Sequence, residues 1–324
     1  MIDYLKGEYN LYIISILSAF VLAIVIGPLL IPLLHRLKFG QNVRDDGPQS
    51  HLKKTGTPAM GGIIFLLATI TVSLAFTKDK DMMLVLATTL LFGLIGFADD
   101  YIKIVKKRSL GLRAWQKIVA QFVVALFLTF VSAGINQVGT SVLIPFTGKF
   151  WDLGMLYIPF IIIFIIGFVN SVNLTDGLDG LAGGITVVVL GFFSVVALVS
   201  KNLGILVFCG ALIGALLGFL RFNSHPAQVF MGDTGSLALG GAVVALAVVT
   251  KLPIFLFIIG AVYAAEAASV IIQVVYFKAT KGKRIFKMAP LHHHFELSGW
   301  AESKVVSIFT ITAIILCLIG LLAI

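Results

Sequence analysis

The polar positions of this chain come in short clusters, separated by long apolar runs. Runs able to cross a bilayer as helices lie at about residues 11–35, 60–77, 82–98, 117–134, 154–169, 181–200, 203–220, 236–250, 252–277 and 304–324. About 20 apolar residues at a helical rise span the hydrocarbon core, so segments of this kind read as transmembrane helices. Two boundaries rest on short breaks, at Lys201-Asn202 and at Lys251-Pro253. The pattern predicts an all-α, polytopic membrane protein of about ten transmembrane helices, forming one integral membrane domain over residues 1–324.

Composition supports this picture. The chain is 59% hydrophobic and 12% charged, which no ordinary soluble domain of 324 residues matches. Cys209 and Cys317 both fall inside apolar runs, so no disulfide framework is implied. The N-terminus lacks the basic region, short apolar region and small-residue cleavage site of a signal peptide. Its first apolar run, Leu11 to Leu34, reads as a retained span. The net charge of +9 would suggest nucleic acid for a soluble protein. In a bilayer it reads as topology, and no nucleic-acid partner is expected.

Sorting the charges by loop tests the map. The loops after spans one, three, five, seven and nine hold eighteen of the 24 Lys and Arg. The other side holds Lys6, Lys78, Lys80, Lys149, Lys201 and Lys251. Positive residues stay cytoplasmic, so the odd loops face the cytoplasm and both termini are extracytoplasmic. The acids sort the same way. Asp45, Asp46, Asp99, Asp100, Asp176, Asp179, Asp233, Glu296 and Glu302 fall on the cytoplasmic side, with Glu266 inside span nine. Acids contribute little to topology, so chemistry is the better reason for their gathering. Asp45, Asp46 and Glu302 read simply as solvated.

Four constellations could carry that chemistry. Asp99-Asp100-Tyr101-Ile102-Lys103 ends span three, where two carboxylates at a membrane boundary are costly to desolvate. Such oxygen ligands suit magnesium, particularly when a phosphate shares it, although adjacent acids also occur at plain helix ends. Asn170, Asn173, Asp176 and Asp179 recur every third residue and would make one polar stripe on a helix. The run from Asn223 to Ser236 offers N-caps for span eight in Asp233, Thr234 and Ser236. It also offers a third metal-binding acid in Asp233 and, in Phe230, an aromatic able to stack on a base. His292, His293 and His294 are consecutive. Neighbours on a helix point about 100° apart, so zinc is disfavoured and hydrogen bonds to an anionic substrate are the better use. The segment Thr57 to Gly62 opens span two as a compact turn, with no chemistry assigned. Together the acids, amides and histidines suggest metal-assisted phosphoryl transfer at the membrane surface, with a lipid as one substrate.

At these residues the chain resembles the phospho-N-acetylmuramoyl-pentapeptide transferases, a branch of the polyprenyl-phosphate N-acetylhexosamine-1-phosphate transferase superfamily. The Asp99-to-Lys103 run, Asn173-Leu174-Thr175-Asp176-Gly177-Leu178-Asp179-Gly180 and Met231-Gly232-Asp233-Thr234-Gly235-Ser236 match the superfamily. Pro290-Leu291-His292-His293-His294-Phe295-Glu296 favours this branch. The resemblance implies ten helices with both termini outside and a homodimer. It implies transfer of phospho-MurNAc-pentapeptide from UDP-MurNAc-pentapeptide to undecaprenyl phosphate. That reaction gives lipid I and UMP for peptidoglycan, with Mg2+, at the cytoplasmic face of a bacterial plasma membrane. By resemblance, Asp99 deprotonates or positions the lipid phosphate, Asp100 assists, and Asp233 ligates magnesium. Asn170, Asn173, Asp176 and Asp179 line the nucleotide-sugar site, Phe230 lies near the uracil, and His292, His293 and His294 flank the substrate. Lys117, four residues before Gln121, matches a loop lysine of the family.

The family's ninth helix is long and bent beside a lipid groove. Here Pro253 to Phe277 carries Glu266 and Gln273, which should face the protein interior. Glu266 is read first as structural. The nearest rival function is transfer of another sugar phosphate, such as GlcNAc-1-phosphate, against which the histidine run argues. A transporter would place its polar site near the bilayer midplane, and a passive scaffold leaves the polar stripe unexplained.

Overall fold

A computed structural model describes residues 2–36, 56–105, 111–135 and 139–324. The chain forms α1 (Ile2–Arg36), α2 (Gly62–Phe76), α3 (Lys80–Val105) and α4 (Ala114–Ile135). A hairpin follows, β1 (Ser141–Ile144) and β2 (Lys149–Asp152), and then α5 (Tyr157–Thr175), α6 (Leu181–Ser200), α7 (Leu203–Asn223) and α8 (Gly232–Val249). Last come α9 (Leu256–Ile259), α10 (Ala261–Ala279), α11 (Leu291–Glu296) and α12 (Glu302–Leu322). Among the described residues, nine helices are long and apolar enough to cross a membrane, and α2 is a shorter apolar helix. The charged residues Lys53, Lys54, Asp45, Asp46, Lys106, Lys107 and Arg108 lie outside the described residues.

Helices α7 and α8 are apolar on every side and buried along nearly all their length, as central helices must be. Lipid and leucine are equally apolar, so close packing rather than hydrophobicity must join spans. Accordingly α1 meets α7 through Gly210, Gly214 and Gly218, spaced by four. A Cβ on any of them would overlap Ser15, Ile16 or Ala23 of α1. The outward faces are different. Leu17, Val21, Val25, Leu29 and Leu33 on α1, and Ile311, Ile315 and Leu318 on α12, are large, apolar and exposed. Two such stripes suit a hydrocarbon surround and no aqueous one.

The loops sort to two ends as the charge pattern requires. At one end Asn202, between α6 and α7, donates to Asp81 at the start of α3 (2.8 Å). At that same end the hairpin is tied down by Leu143 N–H to the Lys251 carbonyl (3.0 Å) and Phe146 N–H to the Ala323 carbonyl (2.7 Å). The hairpin is an addition to the expected all-helical chain. Its strands pair from Ser141 opposite Asp152 to Ile144 opposite Lys149. All four polar constellations meet at the opposite end.

Two expected elements differ in detail. The ninth span breaks at Gly260 into α9 and α10. The stripe of Asn170, Asn173, Asp176 and Asp179 is not continuous, because α5 stops at Thr175. Asp176 to Gly180 forms a turn, closed by Gly180 at φ 79, so only the two asparagines share the helix face.

Candidate functional site

The site is built where the last turn of α3 meets the first turn of α8. Asp99 and Asp100 are almost fully buried, and a buried carboxylate needs partners. Asp100 finds them in the N–H groups that α8 leaves unpaired. Its Oδ1 accepts from Asp233 N (3.2 Å), and its Oδ2 from Thr234 N (2.8 Å) and Thr234 Oγ1 (2.7 Å). Thus the capping of α8 comes from another helix, and the Asp233 side chain is released from that task. Gly232 makes the junction possible. It holds φ 73, and a Cβ there would strike the Asp100 carboxylate and Met60 N. The turn before α2 docks on the same loop, with Gly61 N donating to the Phe230 carbonyl (2.8 Å) and Phe230 N to the Pro58 carbonyl (2.8 Å). This gives the Thr57–Gly62 turn its role and leaves the Phe230 ring half-buried.

Asp99, 3% exposed, accepts Leu112 N–H at Oδ1 (2.8 Å) and pairs with Lys103 Nζ at Oδ2 (2.6 Å). Lys103 Nζ also reaches Asp233 Oδ2 (2.8 Å) and lies 3.8 Å from Asp100 Oδ1. Lys117 Nζ, from the first turn of α4, meets Asp233 Oδ2 as well (3.1 Å). Asn173 Nδ2 donates to Asp233 Oδ1 (2.8 Å) and Ser236 Oγ (2.7 Å). Oxygens of Asp99, Asp100 and Asp233 lie within 4.8 Å of one another. Three carboxylates therefore converge against two ammonium groups. Lys103, which closes the Asp99-to-Lys103 run and carried no role in the sequence reading, is the hub. Its signal was its spacing, three and four residues after the acids, which puts all three on one helix face.

The remaining expected residues divide. Asn170 turns toward α4, exchanging hydrogen bonds with Gln121 (2.7 and 3.3 Å), and so fixes α4 rather than joining the acids. Asp176 sits in the turn beside the acids. Its burial, and then the charges of Asp233, Asp100 and Asp179, hold its carboxyl well above the usual carboxylate range. Asp179 belongs to a second cluster. Its Oδ2 meets His225 Nδ1 (3.2 Å) and Ala227 N–H (3.1 Å), and its N–H donates to Glu302 Oε1 (2.8 Å). Glu302 Oε2 is 3.3 Å from the same His225 nitrogen, so the solvated reading of Glu302 is corrected. Its sequence distance of 123 residues from Asp179 hides the partnership.

The histidines diverge as neighbours on a helix must. His292 is buried and faces Glu266 of α10, with Nδ1 3.2 Å from Oε2. His293 Nδ1 lies 3.0 Å from Glu296 Oε2, and His294 Nδ1 accepts Lys287 N–H (3.1 Å). Gln273 of α10 pins the intervening loop, accepting Ile285 and Phe286 N–H (3.1 and 3.0 Å) and donating to the Phe286 carbonyl (3.0 Å).

Three carboxylates offer the hard oxygen donors that magnesium takes, and the Lys103 ammonium lies among them. Two lysines beside that position suit an anionic phosphate.

Comparison with known proteins agrees with this geometry. The profile of glycosyl transferase family 4 matches residues 82–251, from α3 to just past α8. The phospho-N-acetylmuramoyl-pentapeptide-transferase of Clostridium kluyveri is 55% identical over 313 residues, 96% of this chain and 98% of that protein. That of Clostridium novyi is 52% identical over 316 residues, 97% of each. That of Thermoanaerobacter sp. is 55% identical over 304 residues, covering 94% of this chain and 95% of that protein. At this identity over nearly the whole length, the chain belongs to the phospho-N-acetylmuramoyl-pentapeptide-transferase family of enzymes.

Proposed function

We propose that this chain transfers phospho-MurNAc-pentapeptide from UDP-MurNAc-pentapeptide to undecaprenyl phosphate. The products are UMP and lipid I, made for peptidoglycan at the cytoplasmic face of a bacterial plasma membrane. One observation carries the reading: Asp99, Asp100 and Asp233 converge with Lys103 and Lys117 at helix ends, where a lipid headgroup meets water. The bias of Lys and Arg toward the loops at this end supports a cytoplasmic site with both termini outside. The whole chain works as one membrane unit, partnered by the bilayer and by a second copy of itself.

Asp99, Asp100 and Asp233 are the residues that would hold Mg2+. Bound there, magnesium supplies neutralising charge to the diphosphate and to the departing UMP. Lys103 and Lys117 turn their ammonium groups to the phosphates once substrate enters. Asn173 keeps Asp233 oriented through Oδ1. Asp176 and Asp179 present the nucleotide-sugar turn, with Phe230 toward the uracil and the histidine run beside the sugar. Asp100 is largely committed to the first turn of α8 and keeps only its Oδ1 side for an ion, so Asp99 is left to orient the lipid phosphate or take its proton. We favour direct attack by that phosphate. A phosphate dianion is already a nucleophile, and Asp99 is held back by Leu112 N–H and Lys103. A phospho-sugar enzyme trapped without lipid would overturn the direct route.

The substrate assignment is tested by UMP release from purified protein with undecaprenyl phosphate. UDP-MurNAc-pentapeptide should turn over and UDP-GlcNAc should not. Turnover of UDP-GlcNAc alone sinks the assignment.

A further inference from the structure

Behind the histidine run lies a pair of fully buried polar side chains. Glu266, in the body of α10, is 0% exposed, and His292 of α11 is 1% exposed. Glu266 Oε2 and His292 Nδ1 are 3.2 Å apart. The contact is off the line of a full hydrogen bond, and among the described residues neither carboxylate oxygen nor either ring nitrogen has a hydrogen-bond partner. A carboxylate taken out of water costs several kcal/mol unless it is compensated. Here the facing imidazole is the compensation. An apolar pair in place of Glu266 and His292 together would be as stable or more so, so packing alone gives no reason for an acid at this depth.

The other edge of the imidazole supplies a reason. His292 Nε2 and Cε1 lie against Gly177, so closely that a Cβ at 177 would overlap the ring. Gly177 belongs to the turn that carries Asp176 and Asp179. The ring is thus wedged between α10 and that turn. An acid at Nδ1 fixes which nitrogen carries the proton and how the ring is rotated, as carboxylates do for histidines in many sites.

We propose that Glu266 is a positioning residue: its carboxylate faces the Nδ1 edge of His292, favours the proton on that nitrogen and thereby seats the Nε2 edge against the turn presenting Asp176 and Asp179. The effect on the substrate rests on the transferase reading above, whereas the dyad itself does not. Glu266 touches no substrate and acts through His292.

The experiment uses the full chain in lipid nanodiscs with 15N-labelled histidine, the His292 signals being assigned by their loss in H292Q. In the unmodified protein His292 should carry its proton on Nδ1, and E266L should move it to Nε2 or set it exchanging. In turnover assays, E266L should lose about ten- to a hundredfold in kcat, the scale for outer partners that orient a histidine. KM should change little. E266Q, which keeps an acceptor for Nδ1–H, should recover most of the loss. The double variant H292Q/E266L should be no slower than H292Q, because the two act as one unit. Identical imidazole spectra in the unmodified protein and E266L would overturn the proposal. So would additive losses, or a loss that E266Q fails to recover at the Tm of the unmodified protein. If E266L does not fold, E266A, which also removes the acceptor, carries the same test. Absence of any turnover of UDP-MurNAc-pentapeptide would count against the transferase reading, and the nitrogen spectrum would still decide the dyad.

Discussion

Two clusters in this protein each bring three ligand-type side chains within 4.8 Å of one another. One is Asp99, Asp100 and Asp233, and the other is Asp179, His225 and Glu302. They differ in what their charge is matched against. In the first, three carboxylates face Lys103 and Lys117, long side chains that can turn from acid to phosphate. In the second, much of the matching comes from fixed backbone N–H groups of Asp179 and Ala227 and from one half-exposed imidazole. The first cluster joins helix ends of α3, α4 and α8 at the proposed phosphate position. The second ties the α5–α6 turn, the α7–α8 loop and the start of α12 together. Proximity of acids alone would have ranked them equally. Mobility of the counter-charge separates a reacting centre from a clasp.

The sharpest way to break the comparison is Asp233→Ala. Its loss should cut turnover by about a thousandfold or more, the scale for groups that stabilise transition-state charge in phosphoryl transfer. UMP release measured across a magnesium titration checks this, and near-normal activity would remove Asp233 from the metal site. The next effect divides the acid pair. Asp99→Asn should lose about a hundredfold in kcat, a typical acid–base contribution, with Tm nearly unchanged. Asp100→Asn should instead destabilise by about 1–3 kcal/mol, since it leaves α8 amides without a proper acceptor. Thermal unfolding beside turnover separates the two. If Asp100→Asn were as stable as the unmodified protein, its stapling role would be wrong.

Smaller effects belong to the clasp and the turn. His225→Ala should raise KM for the nucleotide sugar a fewfold and cost under about 1 kcal/mol, because the imidazole is half-exposed and screened. A kcat collapse there would merge the clusters into one centre. Asp176→Asn probes the turn by pH in magnesium-free buffer. The Asp176 carboxyl is held above its ordinary value, so the folded state binds its proton more tightly than the unfolded one. Stability from this group is therefore full at low pH and falls as pH rises from the ordinary carboxylate range through the elevated one. The asparagine variant should gain stability at pH 8 and lose that gain below about pH 4, each tenfold in proton affinity being worth about 1.4 kcal/mol. A pH-independent difference would mean that Asp176 ionises normally.

The span map and the two-ended sorting of charge were legible in the chain itself, because a bilayer imposes length and polarity on each segment separately. The acids of α3 and α8 were legible as candidates for the same reason: charge at a membrane boundary needs a cause. Tertiary structure decided the pairings. Nothing local told Asp100 to cap α8, brought Lys103 to Asp233, split the Asn170–Asp179 stripe at Thr175, joined Asp179 to Glu302, or set Glu266 against His292. Each depends on which helix ends meet, and close packing through small residues such as Gly214 and Gly232 settles that at distances no sequence period encodes.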